Sequence, residues 1–266
     1  MIVYPQFDPV AFSLGPIMFR WYGLMYLIGF GLAWWFASVR ARRENSSWTG
    51  DQVSDVIFYG AIGVIVGGRL GSILFYNFDR FMQDPMMLIR VWEGGMSFHG
   101  GLIGVAIALW YFGRRYKKSF LTVTDFVAPL VPLGLFFGRI GNFINNELWG
   151  KPTDLPWGVM VEDKGLAYHP SQLYEAFLEG LVLFIILWTV SSKPRATGVI
   201  SGLFLFFYGV FRFGVEFVRM PDVELGYLAW GWVTMGQILT LPMIVGGLLL
   251  MSWASKQKES SNETVS

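Results

Sequence analysis

Long runs of apolar residues recur along the chain from residue 21 to residue 254, with no polar segment between them large enough to fold alone. Runs of roughly 17 to 25 apolar residues are long enough to cross a bilayer as helices. Seven such runs predict seven membrane-spanning helices: Trp21–Val39, Val53–Tyr76, Met96–Phe112, Thr124–Phe143, Ser171–Val190, Val199–Val218 and Val233–Ala254. We therefore predict an all-α integral membrane protein that forms a single polytopic domain over residues 1–266.

The connections between these spans are short apart from one segment at about residues 144–170. This segment is rich in Pro, Gly, Asp and Trp, and its length suits an ordered cap over a cavity. The last residues, about 256–266, are polar and charged, which predicts a disordered tail.

The positions of the basic residues predict the orientation of the bundle, because Lys and Arg close to span ends resist translocation. The loops after the first, third, fifth and seventh spans hold eleven basic residues. The opposite side holds six, which are Arg20, Arg80, Arg90, Lys151, Lys164 and Arg219. The N-terminus and the cap segment are therefore predicted outside, and the C-terminus in the cytoplasm.

Composition agrees with a membrane setting and excludes several functions. The chain is 54% hydrophobic and 15% charged, with a mean hydropathy of +0.48. A net charge of +1 gives no reason to expect a nucleic-acid partner. The absence of cysteine excludes thiolate metal sites and a cysteine nucleophile, so any reacting thiol belongs to a substrate. Two histidines are too few for a histidine-built metal centre, and we expect neither metal nor cofactor.

Three arginines, Arg69, Arg139 and Arg212, fall within the predicted spans. An arginine at mid-bilayer costs about 3 kcal/mol on insertion scales. It is therefore expected to pair with another polar group, to line a water-filled cavity or to serve a function. All three lie late in spans that run outward, and the sequence therefore predicts that they meet in one cavity in the outer half of the membrane.

Arg212 has two polar neighbours at helical spacing, with Tyr208 four residues before it and Glu216 four residues after it. Side chains four residues apart share one helix face. One interpretation is an internal ion pair that lets the helix insert. The other is an arginine that the carboxylate holds in place to bind phosphate.

The fourth predicted span ends in a run of polar and small residues, GRIGNFINNELWG, over residues 138–150. If the run stays helical, Arg139, Asn142 and Asn146 share a face. Arg139 can then donate to a phosphate, Asn142 can bind a headgroup oxygen, and Glu147 can accept from an arginine or take a substrate proton. Alternatively, the asparagines only cap a helix end at the interface.

Smaller features also have two interpretations each. His99 begins the third span and is either a structural hydrogen-bonding residue or a general base. Tyr22 either belongs to an aromatic interface belt or donates to a lipid headgroup. Gly63, Gly67 and Gly71 lie on one face of the second span, which suits close helix packing or a backbone path for a headgroup.

Four segments together resemble the phosphatidylglycerol:prolipoprotein diacylglyceryl transferase family. They are HGGLIG at 99–104, GRIGNFINNELWG at 138–150, HPSQLYE at 169–175, and YGVFRFGVEFVR at 208–219. The resemblance extends from Trp21 to Gln237, and Asn146 stands where the family often has glycine.

The resemblance implies a bacterial inner-membrane enzyme whose active site faces the periplasm. Its substrates would be phosphatidylglycerol and the lipobox cysteine in a prolipoprotein signal peptide, with membrane lipid as its surroundings. It implies catalytic roles for His99, Arg139, Arg212, Glu147 and Glu216. It implies substrate binding by Arg139, Asn142, Tyr22, Tyr208 and Gly150, and we add Arg69 because of its depth.

Two other classes of protein compete with this interpretation. A transporter or flippase would spread its charges over the full membrane depth and show an internal repeat, and the sequence shows neither. A non-catalytic membrane scaffold would explain the glycine face of the second span but not the arginines or the polar run at 138–150.

Overall fold

The computed structural model describes residues 2–44, 46–90, 94–161, 165–221 and 225–263. Lys164, one of the basic residues assigned above to the outer side, lies outside the described residues. The described part is mostly helical. Its helices are α1 (Trp21–Ala41), α2 (Gly50–Tyr76), α3 (Phe78–Gln83), α4 (Phe98–Tyr116), α5 (Phe120–Val127), α6 (Val131–Ile144), α7 (Ser171–Glu175), α8 (Leu183–Val190), α9 (Val199–Val215) and α10 (Met235–Glu263).

Within the described residues, four helical segments are long and apolar enough to cross a membrane: Trp21–Ala41, Gly50–Tyr76, Ser171–Val190 and Met235–Gln257. The segment Ser171–Val190 comprises α7, a π-helical stretch at Ala176–Val182, and α8. A fifth candidate is the pair α5 and α6, which bends by 48° at residues 128–130. The bend agrees with the kink that Pro129 and Pro132 predict, because proline cannot donate to the helix ladder.

The all-α prediction misses five short strands in the described residues: β1 (Ile2–Val3), β2 (Val10–Leu14), β3 (Ile17–Arg20), β4 (Val159–Val161) and β5 (Leu166–Tyr168). β2 and β3 form an antiparallel hairpin. β4 and β5 pair antiparallel, and β1 pairs parallel to β4. The predicted cap segment thus contributes strands to a small sheet that also includes the start of the chain.

The C-terminal end also differs from the prediction. α10 continues to Glu263, so residues 256–263 are helical where the sequence predicts a disordered tail.

The chain divides into two compact units where the sequence indicates one domain. The first comprises residues 1–33 and 125–266, and the second comprises residues 34–124.

In the 34–124 unit, α2 and α4 approach closely along their glycines. A Cβ atom at Gly63 would lie 2.7 Å from the carbonyl oxygen of Gly104, and one at Gly71 would lie 2.7 Å from the Cα atom of Gly100. These distances confirm the packing interpretation of the glycine face, since any larger residue would force the helices apart.

In the other unit, two small cores hold the polar residues in position. Leu183 and Leu187 of α8 pack with Ala128 and with Ile200 of α9. The second core contains Tyr4, Trp149, Val159 and Val161 at the cap segment. The Tyr4 hydroxyl donates to the carbonyl oxygens of Phe143 and Ile144, at 2.8 and 2.9 Å, and thereby caps the end of α6.

Candidate functional site

Arg139 lies on the last turns of α6, and its side chain is 21% exposed. Its Nε atom lies 2.5 Å from Oε2 of Glu175, a carboxylate that is completely buried at the end of α7. Its Nη1 atom makes a long contact of 3.5 Å with Oδ1 of Asn142. Arg139 is therefore neutralised by an acidic residue on another helix, which reduces the cost of burying its charge.

Arg212 lies on α9 between two carboxylates. Its Nη2 atom is 2.9 Å from Oε2 of Glu216, which is the pair that the four-residue spacing predicts. Its Nη1 atom is 3.4 Å from Oε1 of Glu175. Glu175 thus brings Arg139 and Arg212 together, as the sequence predicts for these two arginines.

A third arginine of this cluster is Arg219. Arg219 Nη1 forms an ion pair and a short hydrogen bond with Glu175, and its Nε atom lies 3.5 Å from Oε2 of Glu216. The antiparallel bridge between Gly150 and Arg219 fixes the backbone at this point. The sequence alone predicts that Arg219 lies in the loop after the sixth span. We call Arg139, Arg212, Arg219, Glu175 and Glu216 the arginine cluster.

A second layer of residues holds Glu216. Thr234 Oγ1 donates to Glu216 Oε1 at 3.0 Å. The first turn of α10 lies against the same carboxylate, since a Cβ atom at Gly236 would be 2.6 Å from its carbon. The start of a helix carries partial positive charge, so this placement stabilises the ionised carboxylate.

The polar run at 138–150 stays helical only as far as Ile144. α6 ends at Ile144, and Asn146 has φ of +58°, so it does not share a face with Arg139. Its Oδ1 atom instead accepts a hydrogen bond from Trp149 Nε1 at 2.7 Å. Asparagine and glycine tolerate left-handed backbone best, which explains why either suits this position.

Asn142 links this run to its neighbours. It is buried, and its Nδ2 atom donates to Glu147 Oε1 at 2.8 Å. Tyr22 packs against Gly141, shares a hydrogen bond of 3.2 Å with Tyr26, and interacts with Asn142. Glu147 is exposed, and its carboxylate contacts the amides of Asn142 and Asn145. The structure therefore does not support the predicted contact between Glu147 and an arginine.

Two further predicted residues of this unit have clear positions. Tyr208 lies one turn before Arg212 and stacks on Phe204 at 5.7 Å. Gly150 approaches the neighbouring backbone so closely that a Cβ atom would lie 2.5 Å from the carbonyl oxygen of Val218. Gly150 N also donates to His169 O at 2.9 Å. Because a side chain would not fit here, a glycine is needed where the cap pairs with Arg219.

Burial, together with the positive charge of Lys151, lowers the pKa of His169 below its ordinary value of 6.5. His169 is therefore neutral at pH 7, and its Nδ1 atom shares a 3.2 Å hydrogen bond with the Tyr174 hydroxyl. This contact is consistent with a structural role in the cap.

Arg69 and His99 belong to the 34–124 unit. Arg69 is buried and donates to main-chain carbonyls: from Nε to Met87 at 3.0 Å, from Nη1 to Gly94 and Gly95, and from Nη2 to Met87 and Arg90. Because all three guanidinium nitrogens have protein acceptors, the structure favours a structural role for Arg69 over the predicted headgroup contact. His99 is the second residue of α4, is exposed, and packs edge-on against Phe98.

Sequence reasoning missed Glu175 and Glu179, although one signal was available. Both carboxylates lie inside the fifth predicted span, four residues apart, and both are completely buried. An acidic residue within a span is as unusual as an arginine. Within the described part of the chain, no group of three His, Asp or Glu side chains is arranged to hold a metal ion.

Two hydrogen-bond donors of the arginine cluster have no hydrogen-bond acceptor among the described residues. Arg212 Nη1 and Arg219 Nε are shielded from solvent and donate no hydrogen bond to a described residue, although both lie within ion-pair distance of a carboxylate. Buried donors are rarely left unpaired, so these atoms are available to an anion. The fold and this site together define a polytopic membrane protein with a buried, arginine-lined site suited to an anionic group.

Comparison with known proteins identifies the family. Residues 9–253 match the model of the prolipoprotein diacylglyceryl transferase family. The chain is 60% identical to the phosphatidylglycerol–prolipoprotein diacylglyceryl transferase of Ectopseudomonas mendocina, over 97% of this chain and 98% of that protein. It is 58% identical to the protein of the same name from Solidesulfovibrio magneticus, over 98% and 100%. The chain therefore belongs to the prolipoprotein diacylglyceryl transferase family.

Proposed function

We propose that the chain transfers the diacylglyceryl group of phosphatidylglycerol to the cysteine thiol of a prolipoprotein lipobox. The reaction forms a thioether, releases glycerol phosphate, and is the first step of bacterial lipoprotein maturation. The names of the curated relatives support this activity. The single structural observation that carries it is the arginine cluster, in which Arg139 and Arg212 share the buried carboxylate of Glu175.

The chemistry requires cations and a base in the site. The thiolate attacks the terminal glycerol carbon of the diacylglyceryl group, the carbon–sulfur bond forms, and the carbon–oxygen bond to the phosphate breaks. The phosphate leaves with the bonding electrons, so cations must stabilise its growing charge. A base must also take the thiol proton, since the thiolate is the nucleophile. The chain has no cysteine, so the thiol comes from the peptide.

We assign the residues as follows. Arg139 and Arg212 bind the departing phosphate, and Glu216 holds Arg212 in place.

Asn142 and Tyr22 bind the headgroup glycerol, and Glu147 orients Asn142 through their 2.8 Å hydrogen bond. Gly150 and Tyr208 shape the walls of this site.

The membrane setting belongs to the same proposal. α4 and α9 are shorter or less apolar than the clearest spans, and together with α1, α2, α5–α6, α7–α8 and α10 they supply seven crossings. We propose that these cross the bacterial inner membrane with the N-terminus periplasmic, the C-terminus cytoplasmic, and the arginine cluster toward the periplasm. The distribution of basic residues supports this orientation.

The phosphate assignment is tested by replacing Arg139 with Lys. Lysine keeps the charge but loses the planar fork of donors, so we expect transfer to slow by about 10²-fold, as when one preorganised donor is removed from an active site. The measurement is thioether formation by purified protein with phosphatidylglycerol and a lipobox peptide. A wild-type rate in Arg139→Lys would refute the assignment of Arg139 to the departing phosphate.

His99 is proposed to accept the thiol proton. We expect His99→Gln to lower kcat by about 10²-fold or more and to remove one ionisation from its pH profile. The chain's other histidine provides a control: His169→Gln should keep both the rate and the profile, because His169 hydrogen-bonds within the cap and to the Tyr174 hydroxyl and has no assigned part in the reaction. If His99→Gln retains the wild-type pH profile, another group or water takes the proton.

A further inference from the structure

Glu175 is the one residue of the arginine cluster that reaches all three guanidiniums. It ends α7, and its side chain is completely buried. Its carboxylate lies 2.5 Å from Arg139 on α6 and 3.4 Å from Arg212 on α9, and it also pairs with Arg219 beyond the end of α9. One carboxylate therefore joins cations from three segments of the chain.

The two carboxylates of the cluster pair with different sets of arginines. Glu216 pairs with Arg212 and Arg219, which are close to it in sequence. Among the described residues, Arg139 forms its ion pair with Glu175. Without Glu175, no ion pair among the described residues would connect the arginine of α6 to the two arginines of α9 and its following loop. Three like charges would then repel one another in a medium of low polarity.

We propose that Glu175 is the positioning residue of the phosphate site, and that Arg219 is a third guanidinium of that site. Glu175 acts through the arginines and sets their spacing. Arg219 contributes Nε, which is buried and donates no hydrogen bond to a described residue. This inference rests on the proposed function, because it assigns these residues to binding the phosphate of the lipid substrate.

Glu179 provides a matched comparison on the same helix. It lies four residues after Glu175, within the π-helical stretch, and is equally buried. Neither of its carboxylate oxygens has a hydrogen-bond partner among the described residues, and no ion pair joins it to the described arginines. Glu179 interacts electrostatically with the three arginines but forms no ion pair with them, so Glu179→Gln removes a buried acid from the same region without breaking an arginine ion pair.

The experiment compares Glu175→Gln with Glu179→Gln in purified full-length protein. Rates are measured with phosphatidylglycerol and a lipobox peptide, each varied in turn. We expect Glu175→Gln to lower kcat/KM for phosphatidylglycerol by about 10²-fold, the effect of one lost preorganising contact, while KM for the peptide stays the same. Glu175→Asp should recover at least about tenfold of this loss because it keeps the charge. Glu179→Gln should stay within about fivefold of the wild type, since it breaks no arginine ion pair.

Three outcomes would overturn the inference. They are full activity in Glu175→Gln, an equal loss in Glu179→Gln, or an equal rise in KM for both substrates. If Glu175→Gln does not fold, Arg219→Lys decides the matter, because it keeps the charge and Glu175. We expect this variant to lose about tenfold in kcat/KM for phosphatidylglycerol alone, and an unchanged value would contradict the inference. A wild-type protein that forms no thioether would instead refute the proposed function.

Discussion

The three arginines that the sequence places inside the membrane offset the cost of their burial in two ways. Arg139 and Arg212 pair with carboxylates from their own or neighbouring helices. Arg69 donates to carbonyl oxygens of the segment after α2. Only the first arrangement leaves donors for a ligand, because a shared carboxylate does not occupy every nitrogen of three guanidiniums. This difference separates the proposed phosphate ligands from the structural arginine.

The support behind Glu216 gives a prediction at the residue scale. A methyl group at Gly236 would meet the Glu216 carboxylate at 2.6 Å, and that carboxylate is held by Thr234 and by two arginines. Gly236→Ala should therefore displace it and lower kcat/KM for phosphatidylglycerol about tenfold, or about 1.4 kcal/mol. Gly246→Ala on the same helix is the control, because nothing lies within 4 Å of its added methyl group. Equal activity in the two variants would contradict this role for Gly236.

The sequence was informative about pairs of residues within one helix and poor about pairs between segments. The spacing of Arg212 and Glu216 correctly predicts their ion pair. The link from Glu175 to Arg139, Arg212 and Arg219 depends on the packing of α6, α7 and α9, which no local pattern encodes. The same limit applies to Glu147, for which the sequence suggests an arginine or a substrate proton as partner and whose carboxylate contacts the amides of Asn142 and Asn145.

At the scale of elements, glycines decide how closely α2 and α4 pack. A Cβ atom at Gly67 would lie 2.8 Å from the Cα atom of Gly104, whereas one at Gly60 would meet nothing within 4 Å. Gly67→Ala should therefore destabilise the protein by about 1–3 kcal/mol through overpacking. Gly60→Ala, on the same helix, should be neutral or slightly stabilising. Thermal unfolding in detergent measures both, and equal midpoints would mean that the helices can separate without cost.

Local pattern predicts the long elements and misses the short ones. Apolar length identifies α1, α2, Ser171–Val190 and most of α10, and the prolines identify the break between α5 and α6. The strands escape prediction because they are two to five residues long and β1 pairs with β4 across more than 150 residues of chain. The end of α6 at Ile144 lies one residue from the predicted end of the fourth span at Phe143, whereas its cap by the Tyr4 hydroxyl, which comes from a distant part of the chain, could not be predicted from local pattern.

At the scale of the whole molecule, the absence of cysteine makes the orientation directly testable. Asp154 in the cap segment and Ser192 after α8 are both exposed. We expect a membrane-impermeant maleimide to label Asp154→Cys in intact spheroplasts, and to label Ser192→Cys only after the membrane is opened, because positive loops stay in the cytoplasm. The reverse pattern would invert the orientation, and labelling of both in intact cells would contradict the number of crossings.

The central claim is that the arginine cluster binds the phosphate of phosphatidylglycerol while a peptide thiol displaces it. The most direct measurement uses purified protein, a lipobox peptide, and phosphatidylglycerol labelled separately in its headgroup and its acyl chains. The account predicts one glycerol phosphate released for each diacylglyceryl thioether formed, and neither product when serine replaces the peptide cysteine. Release of glycerol phosphate without modification of the peptide, or no release at all, would contradict it.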